Sequence, residues 1–338
     1  MDLYSSLLIN ITLFTMNVII SKVMIDMLLL YLISLLSLTV AYTPHNHQAK
    51  WIVHTPPAFE NETYPQMGNR LRLGSNDSFI AECDYLKSLN PHASRYKSID
   101  FENLFAFENF FWSIYDGVSI ELGALDGSMH SSAPSQTANF VKFGWNRILI
   151  EANPVHRENM IKFSPDAFSV NAAICKDQIL HYLTRGGAKS PASGIVEFMA
   201  PSFVGNFFSF LLNEGQTIEQ FDASKLNWSN LTLPKDVNIV EISCLSLQRV
   251  LDRAGTSHIN FFILDVEGSE LEVLKSVDWR RTTFDVLCIE TEKAYRPEGY
   301  ADAIEKYLIQ RGYIRYIDKG RNSWYIHNLF KPSKRPGI

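Results

Sequence analysis

The stretch "SIELGALDG", residues 119–127, places Glu121 at the end of an apolar run and follows it with Gly123 and Gly127. This pattern is typical of a β-strand that enters a tight loop at the carboxyl edge of a parallel sheet, where cofactors bind. Glycines in such a loop let the backbone approach a ligand closely. The spacing is not G-x-G-x-x-G, and the strand ends in a carboxylate. That carboxylate favours a ligand with a cationic part, such as the ammonium group of an amino acid, over a pyrophosphate.

A second acidic residue stands about thirty residues further on, where the run "ILIEANP" ends in Glu151. A carboxylate at the end of the second strand can accept hydrogen bonds from both hydroxyls of a ribose. Two acids at the ends of adjacent strands therefore fit one nucleoside ligand. Together with the first loop, Glu151 indicates S-adenosylmethionine as the cofactor.

A third group of acids follows the apolar run "FFILDVEGSELEVLKSVDW", residues 261–279. The run has the composition of a strand that is buried on both faces. It delivers Asp265 and Glu267 to a loop, with Gly268 and Glu270 at the head of a helix. The ordinary role of Glu270 is to complement the helix dipole. We predict Asp265 as the first candidate for a general base or acceptor-orienting group, Glu267 as the second, and Glu290, at the end of the next strand, as the third.

Short apolar runs alternate with helical patterns from about residue 100, which predicts an α/β domain with a mostly parallel sheet. The predicted strands cover 117–122, 147–152, 167–174, 259–266 and 284–291, followed by a closing antiparallel pair around "YIRYID" and "SWYIHN". Helices are expected over 135–144, 154–163, 245–255, 269–277 and 300–312. The chain is divided into an N-terminal membrane region (1–45), a stem or linker (46–99) and a catalytic domain (100–332).

The composition limits the partners that this chain can have. Its 338 residues are 46% hydrophobic, which is enough for one large domain with appendages. The formal net charge is −5, and no long run of lysine and arginine is present. A nucleic-acid partner is therefore not expected.

The first forty residues predict a membrane anchor, because Met27 to Tyr42 carries no charge and, extended to Val23, is interrupted only by Asp26. One transmembrane helix is the first interpretation, and a helical hairpin or a signal peptide are alternatives. Glycosylation sequons lie mostly after this run, which favours a single-pass type II protein with its catalytic domain in the lumen of the endoplasmic reticulum or Golgi. The sequons begin at Asn10, Asn61, Asn76, Asn227 and Asn230.

The cysteines are too few for a disulfide scaffold and have no C-x-x-C spacing that would indicate zinc. They are Cys83, Cys175, Cys244 and Cys288. Cys288 lies inside "DVLCIE" and is expected to be a buried core thiol. A bridge between Cys175 and Cys244 would suit an oxidising lumen.

The stretches "IELGALDG", "ILIEANP", "NAAIC", "CLSLQRVL" and "LDVEGSELEVLKSVDW" with "DVLCIETE" resemble the FkbM-type methyltransferases, a class I S-adenosylmethionine-dependent family. The resemblance spans about residues 100–330 and is greatest to eukaryotic, membrane-anchored members, which include Star-like proteins. It implies a Rossmann-like seven-stranded, mostly parallel sheet with helices on both faces, and methyl transfer to oxygen of a sugar, glycan or other small hydroxyl acceptor. By this resemblance the cofactor-binding residues are Glu121, Gly123, Gly127, Glu151, Asn171 and Ala173, and Asp265, Glu267 and Gly268 match the fourth-strand block.

Several alternatives stay open at this stage. His130 is a weaker candidate base, and Asp265, Glu267 and Glu290 offer oxygens to a divalent cation, although no spacing demands a metal and none is predicted. The aromatic stretch 199–215 either covers the acceptor site or forms core. A non-catalytic Star-like protein that escorts secretory cargo is the main alternative function. A nicotinamide-dependent dehydrogenase lacks its three-glycine fingerprint here.

Overall fold

The computed structural model describes residues 53–54, 75–81, 102–128, 135–176, 178–185, 193–228, 231–292, 296 and 298–337. No helix within these ranges is long and apolar enough to cross a bilayer. The predicted membrane anchor, most of the predicted stem and His130 lie outside the described residues.

The described residues contain twelve strands, the six α-helices numbered below and further helical residues at 76–81. The strands are β1 (Val53–His54), β2 (Val118–Leu122), β3 (Asn146–Glu151), β4 (Phe168–Asn171), β5 (Ala173–Ile174), β6 (Ile179–Arg185), β7 (Ser193–Ile195), β8 (Val237–Leu245), β9 (His258–Leu264), β10 (Thr283–Glu290), β11 (Tyr313–Lys319) and β12 (Asn322–His327). The helices are α1 (Glu102–Asn109), α2 (Arg157–Phe163), α3 (Pro201–Phe207), α4 (Leu247–Ala254), α5 (Glu270–Lys275) and α6 (Tyr300–Ile309).

Seven strands form the main sheet in the order β11-β12-β10-β9-β2-β3-β4. β12 runs antiparallel to both β10 and β11, and the other neighbouring pairs are parallel. The predicted seven-stranded, mostly parallel α/β sheet is therefore confirmed. The C-terminal ends of β9, β2 and β3 lie side by side at one edge, which is where such sheets bind ligands.

Both faces of the main sheet are buried, and β9 shows why its sequence is apolar throughout. Ile259 and Phe262 pack into one core, together with residues from α4, α5 and α6. Phe261 and Ile263 pack into a second core that is rich in aromatic rings and includes Phe107 of α1. Helices thus cover both faces of the sheet, as predicted.

A second sheet follows the order β1-β8-β6-β7, and β5 also pairs with β8. The strand that we predict over residues 167–174 is therefore wrong as one element, because the chain leaves the main sheet after Asn171 and joins the second sheet at Ala173. Cys175 and Cys244 form a disulfide with a Cα–Cα distance of 5.3 Å, next to the pairing of Ala173 with Cys244. Cys288 is a buried thiol outside the disulfide, as predicted.

Two helical regions differ from the sequence prediction. The segment after β2 forms a 3₁₀ helix, Ala138–Phe143, that ends at Gly144 in the left-handed conformation. The aromatic stretch 199–215 forms α3 and a short 3₁₀ turn around a core of its own, with Phe203, Phe208 and Leu211 buried. α1 is not anticipated by the sequence analysis.

Candidate functional site

A cavity of about 310 Å³ opens at the C-terminal edge of the main sheet. This volume lies at the lower end of the range for small-molecule sites. Its walls come from the ends of β2, β3 and β9, from β5 to β7 of the second sheet, and from the starts of α1 and β12. Among the predicted site residues, the cavity is lined by Glu121, Gly123, Glu151, Ala173, Asp265 and Glu267.

Gly123 begins the loop after β2 and has a φ of +81°. A Cβ added at this position would lie 2.0 Å from the carbonyl oxygen of Asp265. The N–H of Gly123 donates to the carbonyl oxygen of Ile150 at 3.0 Å. The loop is thus confined between the ends of β3 and β9, and only glycine fits there without displacing the loop that carries Asp265.

Gly127 has a structural function in the same loop and does not line the cavity. Its Cβ would lie 2.7 Å from Cδ1 of Leu149 and 2.9 Å from Oγ of Ser164. The Ser164 hydroxyl also donates to the Gly127 carbonyl at 2.8 Å. Close packing of the loop on α2 and β3 therefore explains the second glycine.

Glu121 is buried, and its carboxylate accepts hydrogen bonds from the segment that precedes the 3₁₀ helix. Donors at 2.6 to 3.2 Å are the hydroxyl of Ser135, the N–H of Gln136, and both the N–H and the hydroxyl of Thr137. The carboxylate orders residues 135–137 at the cavity wall. The hydrogen bonds of Glu121 therefore stabilise this part of the cavity wall.

Glu151 ends β3 and links the loop after β2 to the loop after β3. Its Oε1 accepts from the N–H of Asn153 at 2.7 Å, and its Oε2 accepts from the N–H of Leu125 at 2.9 Å. Burial raises the pKa of Glu151 to about 7, although the backbone N–H groups lower it. Each oxygen keeps a further lone pair, so the carboxylate can also accept from ligand hydroxyls.

Asn171 and Ala173 lie on opposite sides of the point where the chain changes sheets. The Asn171 amide donates to the carbonyl oxygens of Glu151 and Asn153 at 2.7 and 3.0 Å. Asn171 does not line the cavity and supports the turn that carries Glu151. Ala173 lines the cavity directly, between the apolar side chains of Ala172 and Ile174.

The loop after β9 brings Asp265 and Glu267 to the cavity and is strained. Glu267 has a φ of +54°, which is uncommon for a residue with a side chain. Gly268 follows with a φ of +113°, and a Cβ there would lie 2.3 Å from the carbonyl oxygen of Phe198. Such strain is frequent where a loop holds a side chain at a functional site.

Glu270 stabilises the loop that carries Glu267. Its Oε1 accepts from the N–H groups of Val266 and Gly268 at 3.3 and 3.2 Å and pairs with Arg296 at 2.8 Å. The carboxylate is fully buried. Glu270 therefore does more than complement the dipole of α5, because it fixes the backbone on both sides of Glu267.

Burial and, to a smaller extent, the negative charge of Asp265 raise the pKa of Glu267 to about 7, against the opposing charge of Arg296. The Glu267 side chain is 31% exposed and lies 3.6 Å from Arg296. A carboxyl group with this pKa exists in both protonation states near neutral pH, which suits a group that transfers a proton.

Glu290 does not line the cavity. It is 1% exposed and lies between two guanidinium groups, with Arg296 at 2.5 Å and Arg321 in direct contact. Burial raises the pKa of Glu290 well above its usual range. The structure thus places Glu290 between the two arginines and outside the cavity wall.

Carboxylate oxygens of Asp265, Glu267 and Glu290 lie within 4.8 Å of one another, close enough to share a cation. Arg296 lies 3.6 Å from Glu267 and 2.5 Å from Glu290. Arg321 lies 3.7 Å from Asp265 and is in direct contact with Glu290. The two guanidinium groups offset part of the negative charge of the three carboxylates.

The sequence analysis did not identify several residues of the cavity wall. Tyr182 of β6 donates to Oγ of Ser193 at 3.0 Å, and burial raises the pKa of its hydroxyl, as do the charges of Glu151 and Glu267. No spacing in the sequence indicates these contacts, because they depend on how the second sheet packs. The other unpredicted lining residues include Glu102, Gln136, Gly194, Ile195, Arg321 and Asn322.

The lining chemistry fits S-adenosylmethionine. Five carboxyl groups and one guanidinium line the cavity among the described residues, so the site favours a cation such as a sulfonium. Glu151 offers acceptors for ribose hydroxyls, and Ala172, Ala173 and Ile174 provide an apolar wall for a purine. Gly123 lines the cavity at the end of β2.

Comparison with known proteins bears on this cavity. A family model described as a methyltransferase FkbM domain matches residues 121–315, more than half of the chain. No curated protein and no solved structure matches the chain. The matched range begins at Glu121 and includes Glu151, Asp265 and Glu267.

Proposed function

The chain belongs to the FkbM methyltransferase family, and on that premise we propose that it transfers a methyl group from S-adenosylmethionine to a hydroxyl oxygen of a sugar or glycan in the secretory pathway. One observation carries this proposal. The acid at the end of β3 and the two acids after β9 line the same cavity, on either side of Gly123. This arrangement supports a nucleoside site next to a group that accepts a proton.

The nucleoside end of the cavity is formed by Glu151 and the apolar segment 172–174. Glu151 accepts hydrogen bonds from the ribose hydroxyls, and its two bonds with Leu125 and Asn153 keep the carboxylate oriented. S-adenosylmethionine supplies an electrophilic methyl group on a positively charged sulfur. The acidic cavity wall favours that charge.

Glu267 is the proposed general base, and Asp265 is proposed to orient the acceptor hydroxyl. The acceptor must lose its proton as its oxygen is methylated, and a carboxylate within hydrogen-bond reach can take that proton. Glu267 has a pKa of about 7 and is held in a strained loop. Asp265 lies 3.7 Å from Arg321. Much of the remaining acceleration comes from holding the acceptor in line.

The proposed lumenal location rests on three features. The N-terminal apolar run has the length of a membrane anchor. The Cys175–Cys244 disulfide is typical of proteins from oxidising compartments. The sequon at Asn227 lies on an exposed side chain, which is accessible to a glycan.

Mass spectrometry of glycans from cells with and without the protein tests the proposed function. We expect at least one methylated glycan to disappear when the protein is removed and to return with the wild-type chain. The Glu151→Ala variant should not restore it. If the methylated glycans are identical in both cell lines and the purified chain does not bind S-adenosylmethionine, the non-catalytic cargo protein becomes the better account.

A further inference from the structure

The part of the cavity remote from Glu151 is built by residues outside the matched range 121–315. Glu102 comes from the first turn of α1, and Arg321 and Asn322 come from the turn that begins β12. This end of the cavity therefore includes residues that the family model does not match.

The order of the strands fixes where this end lies. Asn322 pairs with Glu290 of β10, and β10, β9, β2 and β3 then follow in sequence across the sheet. Neighbouring strands are roughly 4.8 Å apart, so Asn322 and Glu151 are separated by about 19 Å along the edge. Asp265, at the end of β9, lies between them. A nucleoside held by Glu151 thus leaves the end near Asn322 to the second substrate.

Glu102 and Asn322 form a contact between the two ends of the domain. The Asn322 amide donates to Oε1 of Glu102 at 2.7 Å, across 220 residues of sequence. Glu102 is 5% exposed and still lines the cavity. Its carboxylate is therefore presented in a fixed position.

The positive charge of Arg321 is already compensated by protein groups. Its guanidinium pairs with Glu290 and lies 3.7 Å from both Asp265 and Glu292. Carboxylates outnumber guanidinium groups among the described lining residues. This end of the cavity can accept hydrogen bonds from hydroxyl groups, but it offers no excess positive charge to a ligand.

We propose that Glu102, Arg321 and Asn322 form the acceptor subsite, and that this subsite selects an uncharged polyhydroxy group over one that carries a carboxylate or phosphate. Hydroxyls of a neutral acceptor donate to the carboxylates of Glu102 and Asp265. An anionic acceptor is repelled by the same carboxylates, because like charges brought together in a cleft raise the energy of binding. This inference rests on the proposed methyltransferase function.

Transfer of radiolabelled methyl groups tests the charge selection. Glycans released from cells that lack the protein are incubated with the purified full chain and tritiated S-adenosylmethionine, hydrolysed to monosaccharides, and separated by anion exchange. We expect the label in the neutral monosaccharides. Label confined to uronic, sialic or phosphorylated sugars overturns the proposal, and so does the absence of label in every fraction.

Substitution of Glu102 tests the residue assignment. Glu102→Gln removes the negative charge and keeps the size, and we expect kcat/KM for the labelled glycan pool to fall about tenfold or more. The affinity of this variant for S-adenosylhomocysteine should stay within about twofold of wild type. A variant that had lost the nucleoside site would instead show a lower kcat/KM and a lower affinity for S-adenosylhomocysteine. Asn322→Ala should act in the same direction and provides a second variant if Glu102→Gln does not fold.

Glu108→Gln is the matched control, since Glu108 lies on the same helix and pairs with Arg335 at 2.7 Å away from the cavity. We expect wild-type transfer from this variant. If the wild-type chain binds S-adenosylhomocysteine and methylates glycans, but Glu102→Gln and Asn322→Ala both match Glu108→Gln, the subsite is wrong and the methyltransferase function stands. If the folded wild-type chain binds no S-adenosylhomocysteine, the proposed function itself fails.

Discussion

The backbone N–H of Leu125 donates to Oε2 of Glu151 at 2.9 Å, which joins the glycine loop after β2 to the acid at the end of β3. Leu125 adopts a left-handed φ of 49° in this position. The bond makes the orientation of Glu151 dependent on the conformation of the loop that begins at Gly123. Changes in either element should therefore affect nucleoside binding.

Substitution of Gly123 by alanine should weaken both the fold and the cofactor site. Gly255→Ala is the matched control, because Gly255 also has a positive φ of 67° but a Cβ there meets no atom within 4 Å. Both variants lose about 1 kcal/mol from backbone strain, and Gly123→Ala loses about 1–3 kcal/mol more through its contact with the Asp265 carbonyl. Chemical denaturation measures the difference, and equal losses from the two variants would contradict the predicted close contact.

The raised pKa of Glu151 predicts a pH-dependent stability. Its carboxyl has a pKa of about 7 in the folded chain and 4.5 as its ordinary value, so the contribution of Glu151 to stability is fully present below 4.5 and is lost as pH rises through 7. Relative to Glu151→Gln, which does not titrate, wild type should lose about 3 kcal/mol of unfolding free energy between pH 4.5 and 8. Urea unfolding of both proteins across this range measures the change, and a constant difference between them would show that Glu151 ionises normally.

The proposed base predicts a pH profile for kcat. With S-adenosylmethionine saturating, kcat should rise with pH through about 7 and level off above it, because Glu267 must be ionised to accept the acceptor proton. Glu267→Gln should lower kcat by about 10²-fold or more without changing cofactor affinity. Glu272→Gln is the control, since Glu272 pairs with Lys275 on α5 outside the cavity. A larger loss of kcat in Asp265→Asn than in Glu267→Gln would indicate that Asp265, and not Glu267, is the general base.

The disulfide predicts a stability difference. Cys175 and Cys244 are 69 residues apart, and closing a loop of that length contributes about 4 kcal/mol in the chain-entropy description. Cys175→Ser with Cys244→Ser should lower Tm strongly and weaken cofactor binding, because the bridge anchors the segment that includes Ala173. Under reducing conditions the Tm of wild type should approach the Tm of the double variant. Cys288→Ala is the comparison, since it removes a buried thiol that forms no disulfide.

The proposed lumenal location predicts N-glycosylation at Asn227. Its side chain is exposed, whereas the Asn76 amide donates to the Ser113 hydroxyl at 2.8 Å. The chain expressed in mammalian cells should migrate faster on a gel after treatment with a peptide N-glycosidase, and Asn227→Gln should remove one glycan. An unchanged mobility in wild type would contradict a lumenal domain.

The main sheet was predictable from the sequence because its central strands are apolar on both faces. β9 illustrates this, since alternate residues of the strand enter two different cores. The second sheet was not predictable. β6 and β8 pair antiparallel over more than fifty residues of separation and mix exposed and buried positions, so neither has the continuous apolar run that marks a buried strand.

The candidate site was predictable only where an acid ends a strand. Glu121, Glu151 and Asp265 follow that rule, and all three line the cavity. Glu290 follows it as well, yet Arg296 and Arg321 enclose its carboxylate. An acid at the end of a strand can line the cavity or pair with an arginine. Which of the two occurs depends on side chains that are distant in the sequence. Glu102 was missed for the same reason, because its contact with Asn322 exists only in the folded chain.

The central claim is that this cavity binds S-adenosylmethionine through Glu151. Isothermal titration of S-adenosylmethionine into the purified full chain tests it most directly, with Glu151→Ala as the test variant and Glu108→Gln as the control. We expect saturable binding to wild type and to Glu108→Gln, and at least about tenfold weaker binding to Glu151→Ala, which loses a charged acceptor for the ribose hydroxyls. A folded wild-type chain that binds no S-adenosylmethionine, or a Glu151→Ala variant that binds as tightly as wild type, would contradict the account.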